Sequence, residues 1–259
     1  MHQRRLGALL YHWMTISLPK NDNQPPTNLA ANTVPIGQVD RRSPRRYRCG
    51  MSAMAQTVDP TGQPGVQRFP SRDLQLFIRR AFLSTEACAG LMARIDAGRR
   101  PSTIADDLGY EAFRTSETCD LDPADPFVAT IDDQLDAFIG LPSGHGEPMQ
   151  GQRYAVGQEF KPHTDYFEPS GADYDTYCGR SGNRTWTLMI YLNEPLAGGA
   201  TRFTKVGKTI QPETGKLLAW NNRLADGALN PATIHHGMKV RAGTKYIITK
   251  WYRELPWRG

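Results

Sequence analysis

Cysteine is scarce in this chain of 259 residues, and Cys49, Cys88, Cys119 and Cys178 form no CxxC pair and follow no regular spacing. There is no disulfide framework to build on, which fits reduced thiols and a cytoplasmic setting. Long apolar runs are absent too. No stretch approaches the roughly 18 residues needed to cross a bilayer, so no membrane partner is expected. The opening MHQRRLGALLYHWMTISLPK sets two arginines before a short apolar run, as an export signal does, but His12 interrupts the run and no clean small-residue cleavage site follows. Most of the chain also lacks excess charge. Residues 1–65 hold 8 Lys and Arg against 3 Asp and Glu, leaving 23 of each sign in the rest. The sequence pI near 9.1 therefore belongs to a tail, and no nucleic-acid partner is expected of the remainder.

Periodicity is missing from the same tail. NDNQPP, RRSPRRYR and DPTGQPG sustain neither a helical nor a strand pattern, so residues 1–65 are expected to be disordered, with RRSPRRYR a solvated charge run. Met51 and Met54 are alternative starts. The folded domain is expected over residues 66–259, with its barrel core at about 150–255.

The signals beyond the tail are orderly. Ser84 is placed to cap a helix over Thr85–Ala97, ended by Gly98. Asp125 and Pro126 open a second helix whose stripe of Phe127, Ile131, Leu135 and Phe138 closes at Gly140 and should pack on the outside of a sheet. From Gln150 the pattern changes to period two. Strands are expected at Gln152–Ala155, Trp186–Leu192, Thr201–Thr204, Lys216–Trp220, Thr233–Val240 and Lys245–Tyr252. Helices followed by many antiparallel strands point to a mainly β fold with flanking helices, the double-stranded β-helix or jelly-roll barrel.

Two histidines and one aspartate stand out within it. His163 and Asp165 are two apart in KPHTDYF, so an extended backbone would turn both to one side. His235 follows 72 residues later in TIHHGMKV, a separation that a folded sheet can close. Two imidazoles and one carboxylate on one face of an octahedral ion leave positions open for chemistry, the pattern of non-haem Fe(II) oxygenases. A bare HxD with a distant His also arises by chance. Lys245 is the second observation, sharing one strand face with Ile247, Thr249 and Trp251. A lysine aimed into a barrel needs an anion, and a 2-oxo dicarboxylate would chelate the metal at one end and pair with Lys245 at the other. His236 neighbours His235 and should point the opposite way, which makes it the competing ligand. His145 lies in SGHGEP, where exposure is expected, and His2 and His12 lie in the tail.

Five segments then carry a resemblance: RTSET at Arg114–Thr118, RYAVGQEFKPHTDYF at Arg153–Phe167, RTWTLMIYLN at Arg184–Asn193, GGATRF at Gly198–Phe203 and IHHGMKVRAGTKYIITKW at Ile234–Trp251. Over roughly Phe69 to Trp257 the chain resembles the 2-oxoglutarate and Fe(II)-dependent dioxygenases of the prolyl 4-hydroxylase-like group. The resemblance implies that His163, Asp165 and His235 bind iron and that Lys245, Tyr154 and Thr187 bind 2-oxoglutarate. Fe(II), 2-oxoglutarate and O2 are thereby implied, with ascorbate a further candidate, and the substrate would be a prolyl residue in a peptide or protein. Arg184, Tyr191, Trp220 and Trp251 are candidates for the substrate pocket. The chain departs from the pattern at Ala200, where relatives usually carry a glutamate, and at Lys239, where a proline is common. Neither is a ligand, so the substrate rather than the reaction class is put in question.

The segment FEPSGADYDTYCGRSGN, residues 167–183, is expected to be a mobile loop over the site, with Tyr174, Asp175, Tyr177 and Arg180 as substrate contacts. Other readings stay open: a free amino acid or small metabolite as substrate, a nucleic-acid demethylase, a zinc hydrolase, or a metal-binding barrel without activity. A zinc hydrolase would have no use for Lys245, Tyr154 and Thr187.

Overall fold

The computed structural model of the protein describes residues 58–102 and 113–258. The expected tail lies outside the described residues up to position 57, as do Met51 and Met54. The folded unit nevertheless reaches further back than the expected boundary at Gly65. Val58 is buried, Asp59 caps a 3-10 turn at Pro60–Gly62, and Gln63 Nε2 donates to the Phe138 carbonyl at 2.8 Å. DPTGQPG conceals a capped turn, because Pro and Gly interrupt the periodicity by which an element is recognised.

Helix α1, Thr85–Gly98, starts where the Ser84 hydroxyl accepts the Ala87 N–H at 3.2 Å. Helix α2, Pro126–Ile139, starts on Asp125, whose carboxylate accepts from Phe127 N at 2.8 Å, and stops at Gly140, left-handed at φ 68°. The strands are β1 Val66–Arg68, β2 Leu76–Arg79, β3 Arg100–Pro101, β4 Glu117–Asp120, β5 Gln150–Tyr154, β6 Phe160–His163 and β7 Arg184–Tyr191. After them come β8 Ala197–Gly198, β9 Thr201–Phe203, β10 Lys208–Ile210, β11 Leu217–Asn221, β12 His235–Gly237, β13 Val240–Ala242 and β14 Lys245–Arg253. A short helix α3, Tyr174–Cys178, lies between β6 and β7.

The major sheet runs β1-β2-β11-β7-β14-β5-β4-β3, the minor sheet β10-β9-β12-β6, and β13 pairs with β8. The result is the mainly antiparallel jelly roll with flanking helices that the sequence pattern suggests. One expected element divides. Thr233–Val240 is not a single strand: a 3-10 turn covers Pro231–Thr233, β12 pairs with β9 and, with a register shift between His235 and Gly237, with β6, while β13 pairs with β8 instead. Period-two patterning shows that a segment is extended but not which neighbour it pairs with.

Alternation gives the major sheet two different faces. Trp186, Leu188 and Ile190 of β7 join Leu91, Ile95, Ile131 and Leu135 in a core beneath α1 and α2. Met189 and Tyr191 turn the other way and meet Phe203, Leu218, Trp220 and Ile247 between the sheets. Each such side chain removed from water stabilises the fold by about 1.5–3 kcal/mol. On the helix face Lys250 is fully buried and pairs with Asp132 and, at 3.4 Å, with Asp136, fastening β14 to α2. No helix among the described residues is long and apolar enough to cross a membrane.

Candidate active site

The site occupies the space between the two sheets. Strand β6 ends at His163, the chain bends, and Asp165 follows; antiparallel β12 sets His235 directly opposite His163. One donor atom from each of the three residues lies within 4.8 Å of the others. His163 Nδ1 faces the Lys161 carbonyl at 2.7 Å and His235 Nδ1 faces the Thr233 carbonyl at 3.0 Å. A carbonyl can only accept, so Nδ1 carries the proton in both rings and Nε2 keeps its lone pair for a metal. Burial, reinforced by His235, pushes His163 down to about 3, which holds it in the neutral, ligating form. Phe160 stacks on the His163 ring at 3.5 Å between centroids and fixes its plane.

Lys245 projects from β14 opposite Tyr154 of β5, its Nζ 5.1 Å from the Tyr154 ring and 5.4 Å from the Tyr191 ring. It is 1% exposed and has no carboxylate partner among the described residues. Burial alone therefore pushes its ammonium down to about 7. The cavity holding this cation and the triad is also lined by Tyr154, Trp220, Trp251 and Arg114.

Other expected site residues are placed differently. The Thr187 hydroxyl donates to Asp165 Oδ2 at 2.7 Å instead of facing the cavity, so it supports a ligand of the triad. Arg184 is not a pocket wall. Its guanidinium forms a bidentate pair with Glu147 at 2.7 and 2.9 Å, stacks 3.8 Å over the Trp251 ring, and donates to the Asp165 carbonyl at 3.3 Å. The Tyr191 hydroxyl is turned to Thr201 Oγ1 at 2.6 Å, behind Lys245. Trp220 and Trp251 do line the cavity, and both buried indole N–H groups lack a protein partner among the described residues.

The segment after Asp165 is built rather than loose. Asn183 clips its ends together, Oδ1 accepting Phe167 N at 3.0 Å and Nδ2 donating to Phe167 O at 2.7 Å. Arg253 Nη1 holds the Tyr177 and Gly182 carbonyls at 2.9 and 2.8 Å, and Phe167 stacks on Tyr177 with centroids 5.0 Å apart. Tyr174, Asp175, Tyr177 and Arg180 do not line the cavity. His236 turns from the triad to Glu159 at 2.9 Å, and Glu159 is held at about 2 by Lys161 first and then His236. His145 is half-buried rather than exposed, with Nδ1 3.1 Å from the Arg253 carbonyl. Ala200 is buried and Lys239 exposed beside Glu159 at 3.6 Å, both away from the cavity.

Three contributors had no assigned role in the sequence. Arg114 lies 5.0 Å over the Phe160 ring, held by Ser116 and Thr118 at 3.2 and 3.0 Å. Glu147 joins Arg184 to Arg253, and Asn222 donates to Thr187. RTSET carried the only available signal for Arg114. The other two act through contacts that no local pattern encodes.

The residues fit a divalent metal and an anionic chelator. Three donors of the right types converge, and a buried cation without a carboxylate partner among the described residues lies in the same cavity.

Comparison with known proteins agrees with this geometry. A family model described as the 2OG-Fe(II) oxygenase superfamily matches residues 149–253. Prolyl 4-hydroxylase 1 of Arabidopsis thaliana is 31% identical over 202 residues, covering 70% of this chain and 69% of that protein. Prolyl 4-hydroxylase subunit alpha-1 of Bos taurus is 32% identical over 152 residues, 58% of this chain but 28% of that subunit, so the chain spans little more than a quarter of its length. Among solved structures, the viral collagen prolyl hydroxylase vCPH from Paramecium Bursaria Chlorella virus-1, in its 2OG complex, aligns with a TM-score of 0.55 at 26% identity, covering 69% of this chain and 94% of that one.

Proposed function

Because the chain belongs to the 2OG-Fe(II) oxygenase superfamily, in its prolyl 4-hydroxylase-like group, we propose that it hydroxylates a prolyl residue of a peptide or protein, releasing succinate and CO2. The observation that carries this reading is the buried Lys245, without a carboxylate partner among the described residues, in one cavity with the His163, Asp165 and His235 triad. A bound Fe(II) with 2-oxoglutarate and O2 supplies the oxidising power needed to hydroxylate an unactivated C–H bond.

The protein's own part is placement. His163, Asp165 and His235 would hold the metal through Nε2, one carboxylate oxygen and Nε2. Lys245 would pair with the far carboxylate of 2-oxoglutarate, with Tyr154 beside it, in a site where burial strengthens the pair. Trp220 and Trp251 wall the cavity with apolar surface, which would favour a dry site for the reaction. Arg114 presents a guanidinium with no carboxylate partner among the described residues, suited to a peptide carbonyl. Ascorbate is proposed as the reductant that keeps the metal ferrous, in a reducing cytoplasm where Cys88, Cys119 and Cys178 stay free thiols.

Anaerobic titration with Fe(II) and 2-oxoglutarate tests the site. A weak visible charge-transfer band is expected in the wild type and not in His235→Ala. A peptide screen read by succinate release then tests the substrate, with free proline and small metabolites as competing candidates. No band, with zinc retained, would sink the reading in favour of a hydrolase or a silent barrel.

A further inference from the structure

The two carboxylate oxygens of Asp165 have different surroundings. Oδ1 lies 3.8 Å from His163 Nε2, in the cluster where the triad's donors meet. Oδ2 accepts the Thr187 hydroxyl at 2.7 Å. Thr187 sits fully buried in β7, its register partners being Trp220 on β11 and Trp251 on β14. Its oxygen in turn receives Asn222 Nδ2 at 3.0 Å. Asn222 is also fully buried and is fixed by its backbone, N donating to Thr185 O at 2.7 Å and O accepting Asn230 N at 2.9 Å.

The direction of this chain of hydrogen bonds follows from proton counting. A hydroxyl carries one proton and an amide N–H can only donate, so Thr187 accepts from Asn222 and gives its proton to Asp165. Reversing the Asn222 amide would set two acceptors, its Oδ1 and Asp165 Oδ2, against that single proton. Asn222 Oδ1 is itself buried without a partner among the described residues. The fold thus leaves one acceptor unsatisfied while keeping the donor on Thr187.

We propose that the Asn222 to Thr187 relay makes Asp165 a one-oxygen metal ligand: Oδ2 is tied back to the sheet and Oδ1 alone faces the metal. The inference rests on reading the site as a metal centre. A carboxylate gripping with both oxygens would take one of the positions that a chelating 2-oxo acid and O2 require. The relay reserves that position. Thr187 and Asn222 are positioning residues, since neither lines the cavity.

The test is titration of the full chain with Co(II) alone, reading affinity and the visible absorption that reports coordination number. Thr187→Val keeps the shape but removes the proton, and should weaken Co(II) binding ~10–100-fold and alter the spectrum. Thr187→Ser should restore both, a rescue that a purely packing role would not give. Asn222→Ala, which leaves the hydroxyl free to rotate, should show a smaller loss with the same spectral change. Wild-type affinity and spectrum in Thr187→Val overturn the relay. If Thr187→Val does not fold, the same result in Asn222→Ala overturns it. A wild-type protein that binds no Co(II) overturns the metal-site reading and the relay with it, and is distinguished by failure before any substitution.

Discussion

Burying Lys245 costs stability, because its ammonium has no carboxylate partner among the described residues. Replacing it with alanine removes a charge-assisted pair, and the KM for 2-oxoglutarate should rise ~10–100-fold with a smaller change in kcat. Steady-state kinetics at varied cosubstrate would show this; an unchanged KM would place the far carboxylate elsewhere. The group also sets a pH dependence. Its folded value is about 7 against an ordinary 10.5, so the unfolded chain binds more protons across that window. On this account the ligand-free protein gains stability as pH rises from about 7 towards 10.5, while affinity for the dianion falls as the ammonium loses its proton. Calorimetric titration between pH 6 and 9 would reveal the second effect. Lys245 was legible in the sequence because a strand face marks it. Thr187 was legible as a site residue but not as a partner of Asp165, 22 positions away.

Three elements depend on one carboxylate. Glu147, just before β5, binds Arg184 at the start of β7 at 2.7 Å and Arg253 at the end of β14 at 2.6 Å. Burial alone would raise its pKa, but Arg184 and then Arg253 outweigh that and hold it below the usual carboxylate range. The stability it contributes is therefore present above about pH 4.5 and is lost as pH falls through the lowered value. Glu147→Gln leaves two guanidinium groups without their anion and should cost about 3–5 kcal/mol of unfolding free energy, measurable by urea denaturation. The segment between β6 and β7 depends similarly on Asn183. Asn183→Ala should open residues 167–183 to proteolysis at a rate well above wild type; equal cleavage rates would mean that the other contacts, those of Arg253 among them, suffice to hold the loop. Its glycines and polar residues resemble those of a mobile loop, because clips formed by Asn183 and Arg253 leave no periodic trace. The helices were easier to place. Ser84, Asp125 and Gly140 act within one turn, so their signals are local.

Across the molecule, metal and cosubstrate would join both sheets, His163 and His235 from the minor and Lys245 from the major. Ligand binding should therefore register as global stabilisation. At 100 times Kd of metal plus 2-oxoglutarate an increase of about 2.7 kcal/mol is expected, seen as a raised Tm in the wild type and not in His235→Ala. The fold class was legible because period-two strands follow helices; the division of Thr233–Val240 was not, since pairing partners lie far along the chain. Strand β14 is committed on both sides, with Lys245, Ile247, Thr249 and Trp251 towards the cavity and Ile248, Lys250 and Tyr252 towards α2. A single inserted or deleted residue there would exchange the reactive side for the foundation. Substitution along this strand is therefore a milder change than a shift of its length, and insertions are expected to be tolerated in the connecting segments instead.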